Sequence, residues 1–370
     1  MVPAPRLVEL VNERLEEFLA DRASILRSIA VDLDPLSGFS ERFLSGGKRF
    51  RARFCHLGWE AVRGRGDGSA DAGDEAGLAA VVSASAALEV FHAAALVHDD
   101  LIDHSDTRRG APSAHRVFEG QHRDSGWSGD SADYGRGTAI LLGDLLLGWS
   151  DELLDEGLAG LGSFAAVRAA RLEFNRMRTE VTAGQYLDIL EERAWHARAE
   201  TEQRARAERV VVYKSAKYSI EAPLAIGGAI AGASRGDLEA LRAFGLPLGV
   251  AFQLRDDLLG VYGDPGVTGK PAGDDLREGK RTVLVAIARE RMDPADRRRL
   301  DDLLGDPDLT EAQVADLQGA IRDAGAVDAV ERLIDENTAQ AMAALDAADL
   351  QPDAAAGLAE LADAVTRRVS

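Results

Sequence analysis

Apolar residues along the chain follow a helical spacing over most of its length. The first such run predicts an amphipathic helix over 6–30, with one face formed by Leu7, Leu10, Val11, Leu15 and Leu19. Residues 77–103 are apolar almost throughout and predict a buried helix. Further helices are expected at about 138–158, 164–195, 202–232 and 237–262, and the last ninety residues predict surface-facing helices with charged faces. Without a convincing strand–turn–strand series, the pattern predicts an all-α protein.

Three segments rich in Gly, Ser, Asp or Pro predict loops at 64–75, 120–136 and 263–279. None is an obvious domain linker, so a single domain is expected over 1–370, with C-terminal helices over 286–370. The longest apolar stretch, 78–97, is interrupted by Ser83, Ser85, Glu89 and His92. It therefore predicts a helix buried in protein rather than a membrane span.

The charge balance narrows the possible partners. The 370 residues carry a formal net charge of -20, which argues against nonspecific nucleic-acid binding because that needs a basic surface. An acidic protein still binds an acidic substrate where metals and local cations reverse the sign inside the site. The single cysteine, Cys55, rules out an internal disulfide. The first residues lack the apolar core of a signal peptide, and a cytoplasmic protein is expected.

The buried helix ends in a run of carboxylates. Asp99 and Asp103 are four residues apart and lie on one helical face, where they repel each other unless a cation sits between them. Hard oxygen ligands of this kind suit Mg²⁺, which is usually completed by water and substrate phosphate. Asp100 is rotated away from this face. The plainer interpretation is a solvated acidic helix end, but the apolar residues that precede it favour burial.

Cations flank this carboxylate run. Arg108 and Arg109 follow it, and Lys48 and Arg51 come after a Gly46-Gly47 break. Guanidinium groups bind phosphate oxygens well, whereas an isolated arginine pair is usually surface charge. The glycine break is not a P-loop, because GxxxxGK[ST] is absent and no strand precedes it. His92, two turns before Asp99, is either a satisfied core residue or a substrate contact.

With these pieces in order, the chain resembles the trans-isoprenyl diphosphate synthases, the family of farnesyl, geranylgeranyl and polyprenyl diphosphate synthases. The resemblance spans roughly residues 40–285 and rests on eight motifs taken together. They are Gly46 to Arg51, Glu89 to His92, His98 to Asp103 with Arg108 to Gly110, Gly143 to Leu146, Gly184 to Asp188, Tyr213 to Ala216, Phe252 to Asp257, and Thr268 to Pro271.

The resemblance implies an all-α isoprenoid synthase fold, with long helices around a central cavity and the two acidic motifs facing each other across its mouth. It implies that Asp99 and Asp103 hold two Mg²⁺ ions and Asp256 a third. The allylic diphosphate would be bound by Arg108, Lys214 and Lys270. Isopentenyl diphosphate would be bound by Lys48, Arg51, His92 and Arg109. Gln185, Asp188 and Gln253 would line the site, with Ser215 where the family often has Thr.

The family also implies a homodimer and head-to-tail condensation of isopentenyl diphosphate with an allylic diphosphate. Ionisation of the allylic substrate would be assisted by Mg²⁺, and no protein nucleophile would be needed. One departure concerns the second acidic motif, where the family's common third Asp is Gly260. This weakens the third metal site slightly without removing it.

Residues just before Asp99 suggest the product length. The growing prenyl tail would enter an apolar tunnel past Ala95 and Ala94, which are both small, and Phe91 one turn further would form a later floor. This predicts a geranylgeranyl product, with a longer polyprenyl next and farnesyl also open.

Four other functions compete with this one. A terpene cyclase shares the fold and a DDxxD run but has no need for the cations at 48, 51 and 109. A head-to-head prenyl synthase fits the fold less specifically. A noncatalytic regulatory subunit of a two-component synthase tends to lose an acidic motif, and both are present here. An unrelated divalent-metal-binding protein is the least specific alternative.

Overall fold

The computed structural model describes residues 4–63, 70–264 and 273–367, which are almost entirely helical. The all-α prediction is confirmed. The first nine helices are α1 (Ala4–Ile29), α2 (Asp34–Leu44), α3 (Phe50–Val62), α4 (Ala70–Ile102), α5 (Ala114–Asp124), α6 (Ser131–Leu158), α7 (Phe164–Ala194), α8 (Glu200–Val210) and α9 (Ala222–Ile230). The later helices are α10 (Arg235–Tyr262), α11 (Asp274–Glu278), α12 (Val283–Arg291), α13 (Pro294–Leu303), α14 (Glu311–Asp323), α15 (Ala326–Ala347) and α16 (Pro352–Thr366).

Two short 3₁₀ turns, Val31–Leu33 and Trp195–Ala197, adjoin these helices, and Val211–Glu221 is a π-helix between α8 and α9. One antiparallel hairpin pairs β1 (Thr107–Arg108) with β2 (Ala111–Pro112). Helix starts in the C-terminal part follow capping rules. The Asp293 side chain accepts from the amides of Ala295 and Asp296, and Thr310 forms a capping box with Gln313.

The three loop predictions were wrong in part. The 64–75 segment is helical from residue 70 onward, and the 263–279 segment contains α11. The predicted loop at 120–136 is helical on both sides of a short turn, because α5 ends at Asp124 and α6 begins at Ser131. The polar residues of this turn are capping residues, since the Asp130 carboxylate accepts from the amide of Asp133 at 2.8 Å. The helix predicted at 202–232 is divided by the π-helix.

The chain divides into two compact units. Unit 1 comprises Met1–Arg171, Pro223–Leu238 and Leu350–Ala354. Here α4 packs along α6 and also against α3 and α1. Small residues allow close backbone approach, since a Cβ at Gly58 would lie 2.8 Å from Cα of Leu224. Unit 2 comprises Leu172–Ala222, Glu239–Asp349 and Ala355–Ser370. That the whole chain is one domain stays a prediction.

The core of unit 2 corrects the prediction for the last ninety residues. Residues 283–289 of α12 are all buried, and they pack with apolar residues of α10, α14 and α15. The sequence interpretation took the charged residues near α12 as exposed, whereas some of them are buried in ion pairs. Arg289 is one example, since its guanidinium donates to Asp301 at 2.7 and 2.8 Å. The C-terminal helices therefore form a hydrophobic core rather than a solvated surface layer.

Among the described residues, Glu75–Ile102 is long and apolar enough to cross a membrane by length and composition alone. In the folded chain, 83 % of its most apolar window is buried inside the protein. This burial agrees with the prediction of a core helix, and it places the carboxylates at the end of a rigid element.

Candidate active site

The first acidic motif lies at the C-terminal end of α4. The amide of Asp103 donates to the carbonyl of Asp99 at 2.8 Å, which continues the helical turn and keeps the two side chains on one face. Both residues are partly exposed, whereas Asp100 is only 1 % exposed. The structure therefore agrees with the prediction that Asp100 is rotated away. Two carboxylates one turn apart fit a hard cation such as Mg²⁺.

Asp100 orients one of the predicted phosphate-binding arginines. Its Oδ1 accepts from Nε of Arg108 at 2.8 Å and from Nη2 of the same guanidinium. Arg108 ends strand β1, and the turn that follows has two left-handed residues, Arg109 (φ 54°) and Gly110 (φ 74°). This is the backbone signature of a tight hairpin, and it is uncommon for an arginine. The hairpin therefore holds both arginines close to the carboxylate run.

Arg109 contacts the C-terminal end of α2. Its guanidinium carbon lies 5.8 Å from the ring centroid of Phe43, and its Nη1 donates to the Phe43 carbonyl at 3.5 Å. Phe43 in turn stacks on Phe39 at 5.2 Å. This aromatic support for Arg109 had no signal in the sequence.

The glycine break before α3 is a left-handed turn. Gly46 and Gly47 have φ of 73° and 95°, and Arg49 has φ of 50°. Lys48 is exposed and Arg51 partly exposed, as binding residues need to be. Arg49 is buried instead, paired with Glu89 at 3.2 Å and bonded to Asn12 at 3.0 Å. Sequence reasoning missed the structural role of Arg49. The sequence pattern alone does not show which of Lys48, Arg49 and Arg51 is buried.

His92 lies among four arginines of unit 1. Burial is the largest cause that lowers its pKa well below 6.5, and the remaining causes are the positive charges of Arg51, Arg109, Arg108 and Arg49. His92 is therefore neutral at neutral pH. Two of these arginines are paired, Arg49 with Glu89 and Arg108 with Asp100, and guanidinium groups near a neutral imidazole suit an anion such as a phosphate.

In unit 2, α7 and the π-helix bring together the second group of predicted residues. A Cβ at Gly184 would lie 2.7 Å from Cα of Lys214, so the two backbones cross closely. Nζ of Lys214 pairs with Oδ2 of Asp188, while Ser215 is buried and Gln185 partly exposed. π-Helical turns are rare and often occur at functional sites. The crossing fixes the backbone on which Lys214 and Ser215 are carried.

The second acidic motif lies on α10 of the same unit. Asp256 is partly exposed and Asp257 is buried. The Gln253 amide donates to Asp257 Oδ1 at 2.7 Å. The pKa of Asp257 is raised to about 8, first by burial and then by nearby carboxylates, against the lowering effect of the Gln253 hydrogen bond. Lys270, the remaining predicted ligand of the allylic diphosphate, lies outside the described residues.

Over residues 4–63, 70–264 and 273–367, no three His, Cys, Asp or Glu side chains converge closely enough to form a metal site by themselves. A site of one or two carboxylates is what Mg²⁺ needs when waters and phosphate oxygens complete its shell. The donor set therefore fits Mg²⁺ bound together with a diphosphate.

The residues predicted to set product length lie on the buried part of α4. Phe91 is 4 % exposed, Ala94 is fully buried, and Ala95 is partly exposed. All three lie within two and a half turns of Asp99 on the same helix. Their effect on chain length stays a prediction.

Comparisons with known proteins agree with this geometry. The family model for polyprenyl synthetase matches residues 35–321. The geranylfarnesyl diphosphate synthase of Aeropyrum pernix is 33 % identical over 83 % of this chain and 86 % of its own. A short chain isoprenyl diphosphate synthase of Methanothermobacter thermautotrophicus is 30 % identical over 97 % and 96 %.

Among solved structures, a geranylgeranyl pyrophosphate synthase of Corynebacterium glutamicum, complexed with isoprenyl diphosphate and magnesium, superposes with a TM-score of 0.90. It is 38 % identical and the match covers 99 % of this chain and 100 % of that one. Together with the match of the family model over most of the chain, this shows that the chain belongs to the polyprenyl synthetase family of trans-prenyltransferases.

Proposed function

We propose that this enzyme condenses isopentenyl diphosphate with an allylic diphosphate, head to tail, and that geranylgeranyl diphosphate is its main product. The observation that carries the proposal is the group of four arginines around neutral His92, next to the carboxylates of Asp99 and Asp103. A terpene cyclase has no use for a second diphosphate site, and a noncatalytic subunit has no use for an intact acidic motif.

The allylic diphosphate is bound by Mg²⁺ ions and by cationic side chains. Asp99 and Asp103 hold two Mg²⁺ ions and Asp256 a third, while Arg108, Lys214 and Lys270 bind the diphosphate oxygens. The ions, when bound, neutralise the negative charge that develops on the leaving diphosphate. Arg108 is held in a fixed orientation by Asp100, and Lys214 by Asp188, so these donors are organised before the substrate arrives.

Isopentenyl diphosphate binds at the cations of unit 1, on Lys48, Arg51 and Arg109. His92 is neutral there and offers one ring N–H as a donor without adding a fifth charge to the arginines. The double bond of this substrate attacks the allylic carbon, and a proton leaves to restore the alkene. The released diphosphate accepts that proton, so the chain needs no nucleophile or base of its own. Gln185, Ser215 and Gln253 line the reacting groups.

The proposed product length depends on the size of side chains on α4. Small side chains at Ala94 and Ala95 leave room for a prenyl tail, and Phe91 limits it one turn further along. The relatives include makers of geranylgeranyl and geranylfarnesyl diphosphates, so the family alone allows more than one length. We further propose a cytoplasmic homodimer that binds neither nucleic acid nor the membrane interior, which light scattering and fractionation would test.

The decisive experiment incubates the purified chain with isopentenyl diphosphate, Mg²⁺ and, separately, dimethylallyl, geranyl and farnesyl diphosphates. The products are dephosphorylated and sized by chromatography. We expect a product of twenty carbons from all three primers. A failure to make any prenyl product with each primer, in a folded protein, would refute the proposal and favour the regulatory subunit.

A matched pair of variants tests the assignment of the isopentenyl site. Arg51→Gln should raise KM for isopentenyl diphosphate about tenfold, because a charge-assisted hydrogen bond to phosphate is lost. Arg53, two positions further along α3, lies 6.0 Å from the ring centroid of Phe50 and serves as the control. Arg53→Gln should leave KM within about twofold. An increase in KM for the allylic substrate instead would contradict the assignment.

A further inference from the structure

The second acidic motif lacks its third carboxylate, and the structure shows what lies in its place. A Cβ at Gly260 would lie 2.8 Å from Oδ1 of Asp275 and nearer still to Oδ2. The space above Gly260 is therefore filled by the carboxylate of Asp275. Any side chain at this position would have to displace that carboxylate.

Asp275 is held there by a firmly anchored segment. It belongs to α11, whose Leu276 is fully buried in the core of unit 2. The amide of Gly305 donates to the Leu276 carbonyl at 2.9 Å, and the amides of Gly279 and Lys280 donate to the Asp275 carbonyl at 3.1 and 3.0 Å. These hydrogen bonds hold the backbone at Asp275 and Leu276 in place.

The carboxylate of Asp275 also lies close to the acidic motif on α10. Gly260 follows Asp256 by four residues on this helix, so the two positions share one helical face and the carboxylate above Gly260 lies about one turn from Asp256. Asp257 is 5 % exposed, and its Oδ2 is buried with no hydrogen-bond partner among the described residues. A buried polar oxygen without a protein hydrogen-bond partner fits a bound water, such as one in the shell of a metal ion.

We propose that Asp275 supplies the third carboxylate of the second acidic motif, in place of a side chain at residue 260. It helps to bind the Mg²⁺ that Asp256 is proposed to hold, and it does so through the water shell of the ion. A role through water agrees with the absence of three converging ligands among the described residues. Mg²⁺ keeps several of its waters, and carboxylates that accept from such waters raise metal affinity. The inference rests on the proposed function.

The test measures metal binding directly. Titration calorimetry follows Mg²⁺ binding to the full chain saturated with geranyl thiolodiphosphate, an allylic analogue that does not ionise readily. Asp275→Asn should weaken the third Mg²⁺ about tenfold, which is the lower range for loss of a partner that acts on a metal ligand. Asp274→Asn is the control, since it removes the same charge one residue away on α11 and should change affinity less than twofold.

A rescue variant separates a carboxylate role from a loss of folding. Gly260→Asp combined with Asp275→Ala moves the carboxylate onto α10, with the space above residue 260 cleared, and should restore Mg²⁺ affinity to within about threefold of the wild type. Unchanged binding in Asp275→Asn, or an equal loss in Asp274→Asn, would overturn the inference. A wild type that binds no Mg²⁺ with the analogue would instead overturn the proposed function, and the inference with it.

Discussion

Replacing Gly184 by alanine probes how α7 and the π-helix position Lys214. An added Cβ would lie 2.7 Å from Cα of Lys214, whereas an ordinary contact needs at least 3.4 Å. The atoms that it meets are backbone atoms, which cannot rotate away as a side chain would. The π-helix must therefore move by about 0.7 Å or more at Lys214.

Two effects follow from this displacement. Forcing a methyl group into a filled space costs about 1–3 kcal/mol of unfolding free energy. Lys214 is proposed to bind the reacting diphosphate, and moving such a group by close to 1 Å costs up to about 100-fold in rate. We therefore expect Gly184→Ala to lower the free energy of unfolding by about 2 kcal/mol and kcat/KM for the allylic substrate by about 30- to 100-fold.

Urea unfolding followed by circular dichroism measures the first effect, and steady-state kinetics at saturating isopentenyl diphosphate measure the second. Gly319→Ala in α14 is the control, because nothing lies within 4 Å of the added Cβ there. It should stabilise the protein by about 0.5–1 kcal/mol through better helix propensity, without a change in kinetics. Wild-type stability and kinetics in Gly184→Ala would refute the close crossing of α7 and the π-helix.

Three further predictions concern other parts of the chain. Asp100→Asn removes the charge that orients Arg108, so KM for the allylic diphosphate should rise about tenfold with a smaller change in kcat; a pure loss of kcat would contradict this. Ala94→Phe should shorten the product and Phe91→Ala lengthen it, and unchanged product sizes would remove both from the tunnel. Burial, and then the positive charge of Arg63, lowers the pKa of His56 from 6.5 to about 4. The unfolded chain therefore binds the proton at a higher pH than the folded chain does. The free energy of unfolding should fall as the pH drops from 6.5 to about 4, by about 3 kcal/mol at pH 4. Urea unfolding between pH 7 and pH 4.5 should show this loss in the wild type but not in His56→Asn.

The sequence predicted those features that depend on spacing and charge along one element. The face shared by Asp99 and Asp103, the burial of α4 and the exposed Lys48 all follow from helix periodicity and from local residue types. The π-helix did not follow, because its residues have an ordinary helical pattern and its geometry depends on the close approach of Gly184. Periodicity reports which face is buried, and it does not report how a neighbouring backbone deforms a helix.

The predictions failed at polar residues that cap helices or otherwise stabilise the fold. The 120–136 segment contains many Gly, Ser and Asp residues, but Asp130 caps α6 and the ring of Trp127 packs at 5.3 Å from that of Tyr134. Asp275 was missed for a related reason. An acidic residue beyond a Gly- and Pro-rich stretch of sequence has no fixed spacing to Gly260, so only the folded backbone brings the two together.

The order of segments within the two units has a consequence for how this protein is made. Unit 1 includes residues 350–354. Here the backbone amide of Gln351 donates to the carbonyl of Ala61 at 3.1 Å, and the side-chain amide of Gln351 donates to the backbone carbonyl of Arg63 at 3.1 Å. A ribosome adds about 5–20 residues per second, so residues 61–63 wait on the order of 15–60 s for this partner. Unit 1 is thus completed only after residues 350–354 have been synthesised. A nascent chain stalled before residue 350 would expose this part of α3, and it would be a substrate for chaperones rather than a folded half-enzyme.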